Sequence, residues 1–174
     1  MKVDYKWIIK IVLVTLITSA LFTLVSETAI PHVNIVFGII LTLLIIFIGV
    51  LFDMIGVAVT KSSEAPFHAM ATKKIKGSKI SLWLIKNAEK VSSFCCDVIG
   101  DICGIISGST GAAISLAISS KFNISLLVVI IFVMSIISSL TIGGKALEKG
   151  IAIKRSESIV KVVADILSIF KREK

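Results

Sequence analysis

Asp97 and Asp101 stand one helical turn apart in the stretch "FCCDVIGDICGIISGSTGAAIS" (94–115). Gly104, Gly108, Gly111 and Ser115 follow them at steps of 3, 4, 3 and 4. On a helix of 3.6 residues per turn these six residues share one face. A second stripe, Gly49, Asp53, Gly56, Thr60 and Ser63, steps by 4, 3, 4 and 3. Carboxylates, hydroxyls and backbone carbonyls are the ligands of hard divalent cations. Glycines at this spacing let two helices approach closely. Asp97, Asp101, Asp53 and Ser63 are therefore the candidate ligands of an inward-facing cation site, with Gly104 and Gly108 allowing the close approach. Plain helix packing, with a few acids near the lipid headgroups, is the competing reading.

The elements that must position these residues are membrane spans. Hydrophobic residues make up 56% of the 174-residue chain and charged residues 17%, and the mean hydropathy is +1.01. Four segments reach the roughly 20 apolar residues needed to cross hydrocarbon: about 7–26, 34–60, 91–118 and 124–143. The expected fold is an all-α integral membrane protein of about four transmembrane helices. The first span follows Lys2 and Lys6 as a signal peptide would. It is long for that role and has no convincing small-residue cleavage site, so it is taken as uncleaved.

The net charge of +8 and a pI near 9.5 do not imply a nucleic-acid partner. The lysines fall between the apolar blocks, and no aromatic-basic platform accompanies them. Residues 61–90 hold seven lysines and residues 144–174 hold eight Lys or Arg, whereas 27–33 hold none. This bias puts the N-terminus, the 61–90 segment and the C-terminal tail in the cytoplasm of a multi-pass protein of the cell membrane.

Two cytoplasmic elements are expected. Residues 61–90 read as a juxtamembrane helical hairpin, with Gly77-Ser78 as its turn, Ser62 or Ser63 as a cap and Pro66 in the first helical turn. Ile80, Trp83, Leu84 and Ala88 line one side of its second arm. The tail 146–172 is an amphipathic helix with Ile159, Val163, Ile166 and Phe170 in a stripe. It either lies on membrane lipids or packs on the hairpin.

Other chemistries find little support. Cys95, Cys96 and Cys103 form no CxxC pair and no Cys/His cluster, and read as packing residues rather than a zinc site or disulfide framework. His32 and His68 fall in different compartments, and no nucleophile–base pair is apparent, so neither an enzyme nor a resident cofactor is expected.

The ordered series of segments resembles the transmembrane domain of the CNNM/CorC (CorB-like) magnesium-transport family over roughly 45–172. "KSSEAPFHAM" stands where the family has S-A-S-E-T-A, and "KIKGSK…LIKNAEKVSS" resembles its basic hairpin. "IGDICGI" stands for its G-N-N segment, and "IGGKALEKGIAIKRSESIVKVVADILSIF" for its G-E-x-x-P-K motif and belt helix. The resemblance implies a domain over 31–174, with 1–30 as an additional N-terminal helix; the family's cytoplasmic CBS pair is not expected here, a departure from the family. It also implies a dimer, and a central Mg2+ site served by Ser63, Glu64 and the Gly100-Asp101 segment. In this chain Lys61 replaces a serine, Lys145 replaces the motif glutamate, and Glu148 takes the proline position.

Two functions follow. One is binding or transport of a divalent cation, Mg2+ on the resemblance, by a homodimer with an acidic cavity between the second and third spans. The other is a non-transporting scaffold or regulatory relative. There Lys61 and Lys145 would close the site by pairing with Asp101 and Asp97, and the hairpin would bind a protein partner.

Overall fold

A chain in hydrocarbon must satisfy its backbone within each segment, and the helix is the local solution. The computed structural model describes residues 5–29 and 34–170, and these are helical with no strand among them. The elements are α1 (Tyr5–Ala29), α2 (Ile35–Lys61), α3 (Ala65–Thr72), α4 (Ser78–Lys86), α5 (Ala88–Ser92), a π-helical segment (Ser93–Ile99), α6 (Gly100–Phe122), α7 (Leu126–Lys154) and α8 (Ser156–Phe170). Lys2 and His32, with the side chains of Lys6, Trp7 and Phe170, lie outside the described residues.

Three stretches are long and apolar enough to cross a membrane: α2, the run Ala88–Phe122 and α7. At 1.5 Å per residue, the 27 residues of α2 reach about 40 Å, against a hydrocarbon thickness of about 30 Å. Within α1 the described apolar stretch is Ile11–Leu21, shorter than a span. Ile40, Leu44, Phe47, Leu127, Ile131 and Phe132 are exposed, a surface suited to lipid and not to water.

The chain divides into two units, Met1–Val50 with Val98–Gly144, and Leu51–Asp97 with Lys145–Lys174. In the first, α1 packs on α6 and small residues set the helix contacts. A methyl group at Gly38 would meet Ile114, one at Gly111 would meet Ile137, and one at Gly144 would meet Val50. Buried hydroxyls bond back to their own helix. Thr42 donates to the Gly38 carbonyl at 2.8 Å, Thr110 to Ile106 at 2.7 Å and Ser115 to Gly111 at 2.7 Å.

The second unit has a small hydrophobic core. Phe67 of α3, Leu84 of α4, Ala58 and Val59 of α2, Ala152 of α7, and Val160 and Ala164 of α8 are buried together. Of the two readings of the tail, packing on the hairpin is the one found, since α8 lies against α4. Ile159 and Val163 pack against the core, but Ile166 is exposed; the faces of α8 fully buried are those of Val160 and Ala164. In α4, Leu84 is buried and Ile80 packs beside it, whereas Trp83 is 60% exposed and Ser81 takes the inner position.

Hairpin and tail are joined at the turn. Gly77 adopts a left-handed φ of 78°. Lys161 donates to the Lys76 carbonyl at 3.1 Å and to both Asp165 oxygens, at 2.5 and 2.6 Å. A side chain at Gly77 would overlap the Asp165 carboxylate. Neither Ser62 nor Ser63 caps α3. Ser62 bonds to the Ala58 carbonyl at 2.9 Å, and Glu64 occupies the cap position without a side-chain bond.

Gly77→Ala is expected to lower the thermal midpoint of the detergent-solubilised protein. The left-handed backbone alone costs about 1–2 kcal/mol for a residue with a β-carbon. In an Asp165→Ala background the cost should fall toward that value, because the overlapping carboxylate is gone.

Candidate functional site

The glycine seam of α2 finds a partner different from the one its spacing suggested. Within the first unit Gly49 faces Cys103, and a methyl group there would stand 2.9 Å from the Cys103 β-carbon and 4.0 Å from the Gly100 carbonyl. Within the second unit Gly56 faces Cys96 so closely that a β-carbon would overlap its Sγ. The cysteines are thus packing residues, and none forms a disulfide. The buried residues of α6 are Gly100, Ile102, Cys103, Ser107, Thr110, Gly111, Ile114 and Ser115, so of the expected stripe Gly111 and Ser115 are buried. Gly104 and Gly108, expected to give the close approach, have nothing within 4 Å of a built β-carbon. The π-helical segment, with its wider turn, sets Asp97 out of phase with the stripe residues that follow it in α6.

The acids on that face are exposed. Asp97 accepts a hydrogen bond from Ser93 Oγ at 2.7 Å, and Asp101 is exposed in the first turn of α6. Glu64 pairs with His68 at 3.2 Å on the surface of α3, and Ser63 donates to Glu157 at 3.4 Å. Lys61 ends α2 exposed, without an ion pair to a described residue. Among the described residues no group of three or more His, Cys, Asp or Glu side chains is placed to hold a metal ion. The ligand set drawn from the sequence is therefore not gathered in one place.

What the second unit does assemble is Asp53, Lys145 and Glu148. Asp53 is buried, 6% exposed, on the inner side of α2. Its backbone carbonyl accepts a 3.7 Å contact from Cys96 Sγ, which in turn lies 3.7 Å from Ser92 Oγ. Gly56, one turn on, makes that approach possible. Lys145 and Glu148 lie three residues apart on α7 and so share a side of it. Lys145 Nζ stands 3.8 Å from Asp53 Oδ1. This is the partner of Lys145, which the sequence had set against Asp101 and Asp97.

Glu148 is 4% exposed, and neither of its carboxylate oxygens has a hydrogen-bond partner. Asp53, Lys149 and Lys145 are the charges that act on it. An ion pair at this separation attracts by about 4 kcal/mol at an effective dielectric near 20. Removing both ions from water costs several kcal/mol each, so the pair balances charge more than it adds stability. Two lysines, Lys145 and Lys149, face the two acids, yet neither bonds to the buried Glu148 carboxylate, and an unpartnered carboxylate calls for a proton or a cation. Mg2+ commonly takes one or two carboxylates and keeps several waters, so this donor set suits a hydrated divalent ion and not an all-protein cage.

In divalent-free detergent buffer, Glu148→Gln is expected to raise the unfolding midpoint, corresponding to about 1–3 kcal/mol, by removing an unsatisfied buried charge. Lys145→Met should lower stability. Its cost should fall below the roughly 3–5 kcal/mol of a fully buried pair, because the lysine side chain is 31% exposed.

No family model matches the chain, and no curated protein or solved structure does so.

Proposed function

We propose that this chain is a cell-membrane protein that binds, and passes, a divalent cation, with Asp53 and Glu148 as the acidic ligands and Mg2+ as the substrate. The observation that carries this reading is the buried Glu148 carboxylate, both oxygens without a hydrogen-bond donor, beside the buried Asp53. The two acids belong to α2 and α7, two of the three helices long and apolar enough to span. In the CNNM/CorC-like alignment of motifs, Lys145 stands for the family's glutamate and Glu148 for its proline. Moving the acid by three residues keeps it on the same side of the helix.

On this reading α1 is the fourth span, both termini are cytoplasmic, and the functional form is a homodimer. The lysine-rich second unit then lies on the cytoplasmic side, following the charge bias of the loops. A second reading has its own observation: the 3.8 Å Lys145–Asp53 pair could hold the site closed, leaving a scaffold or regulatory protein without transport.

The experiment is calorimetric titration of the purified full chain with Mg2+, alongside Asp53→Asn, Glu148→Gln, Asp101→Ala and Lys145→Met. Saturable binding that is lost in the first two variants and kept in Asp101→Ala is the expected result. Loss in Asp101→Ala alone would return the site to α6. No binding by the parent but binding by Lys145→Met would select the closed reading.

A further inference from the structure

The last two turns of α7 carry a buried side and an exposed side about a third of a turn apart. Glu148 and Ala152 point into the second unit and are buried. Leu147, Gly150, Ile151 and Lys154 follow at steps of 3, 1 and 3, and with Arg155 line a shallow open groove on this one side of the helix. Leu147 is 76% exposed and Ile151 52% exposed. Gly150 forms the floor between them, with nothing within 4 Å of where a side chain would stand. At the far end Lys154 and Arg155 are exposed, and neither makes an ion pair with a described residue.

Apolar walls leading to two unpaired cations describe an amphiphile with an anionic head. An acidic peptide would leave Leu147 and Ile151 unsatisfied, and a neutral lipid would leave the two cations without a partner. The end of a helix also favours phosphate less than its start does, so these side-chain cations must supply the attraction. Arg155 can grip a phosphate through two N–H groups at once, while Lys154 acts as a point charge.

We infer that the groove of Leu147, Gly150, Ile151, Lys154 and Arg155 is a binding site for one anionic phospholipid. Its acyl chain lies over Gly150 and its phosphate sits between Lys154 and Arg155. The site shares no residue with Asp53, Lys145 and Glu148, so it stands or falls independently of cation binding.

The test uses the full chain in neutral detergent, with bound lipid counted by native mass spectrometry during titration with dioleoylphosphatidylglycerol. Parallel titrations use dioleoylphosphatidylcholine and inorganic phosphate. One phosphatidylglycerol should be retained per chain in preference to phosphatidylcholine. Lys154→Gln with Arg155→Gln should weaken it about thirtyfold, following roughly a fivefold fall per basic residue at an anionic surface. Gly150→Leu should fill the groove and abolish retention with both charges in place, and a thermal midpoint equal to the parent's will show that it folds. Lys73→Gln with Lys74→Gln removes the same charge elsewhere and should change nothing. Equal retention of phosphatidylcholine, an equal loss in the Lys73/Lys74 variant, unchanged retention in Gly150→Leu, or full competition by inorganic phosphate would each overturn the assignment.

Discussion

Hydrocarbon supplies no hydrogen bonds, and most features of this chain answer to that constraint. Every described element is helical, so backbone groups are satisfied within their own segment. The buried hydroxyls of Thr42, Thr110 and Ser115 turn back onto carbonyls four residues earlier instead of seeking water. Without a hydrophobic force between helices, association rests on close contact, and this chain makes its contacts through small residues. Gly49 and Gly56 of α2 are set against Cys103 and Cys96, not against a second row of glycines. Cysteine suits the place because it is small, polarizable and loses little on burial.

Against that background Glu148 is the exception. Other buried polar side chains in the same unit have partners: Ser81 donates to the Gly77 carbonyl at 3.0 Å, and Ser168 to the Asp165 carbonyl at 2.6 Å. Glu148 has none and sits beside a second acid whose own partner is a half-exposed lysine. Such an arrangement is costly to keep unless something positive enters it. The cation reading and the closed reading differ only in what that positive group is. Both rest on the same three residues, Asp53, Lys145 and Glu148.

The second unit also shows how a lysine-rich segment can be ordered. Its core is only a handful of side chains around Phe67, and its turn is held by Lys161, which bridges the Lys76 carbonyl and Asp165. Lys61, Lys73, Lys74, Lys76, Lys86, Lys149 and Lys154 are exposed. The outer side of α8, with Val162, Ile166 and Ile169 exposed, stays apolar beyond what the core requires. A helix apolar on two sides is suited to lie between a protein core and lipid.

Much of this was legible in the residues themselves. The apolar runs that became α2, α6 and α7, the hairpin turning at Gly77, and the amphipathic tail follow from hydropathy, period and turn chemistry, which are local properties. Which face of the third apolar run would be buried was not legible. The stripe through Asp97, Asp101 and Gly104 and the stripe through Gly100, Cys103 and Ser107 are both small and both helical in period. Within α6 the two differ only in which side meets a neighbouring helix, and a π-helical segment at 93–99 turns Asp97 away from the residues that follow it without leaving a mark on composition. The partner of Lys145 was likewise undecidable from spacing, since an ammonium on a flexible stem reaches any acid nearby. Only the packing of α2 against Cys96, which fixes Asp53, brought that carboxylate within 3.8 Å of it.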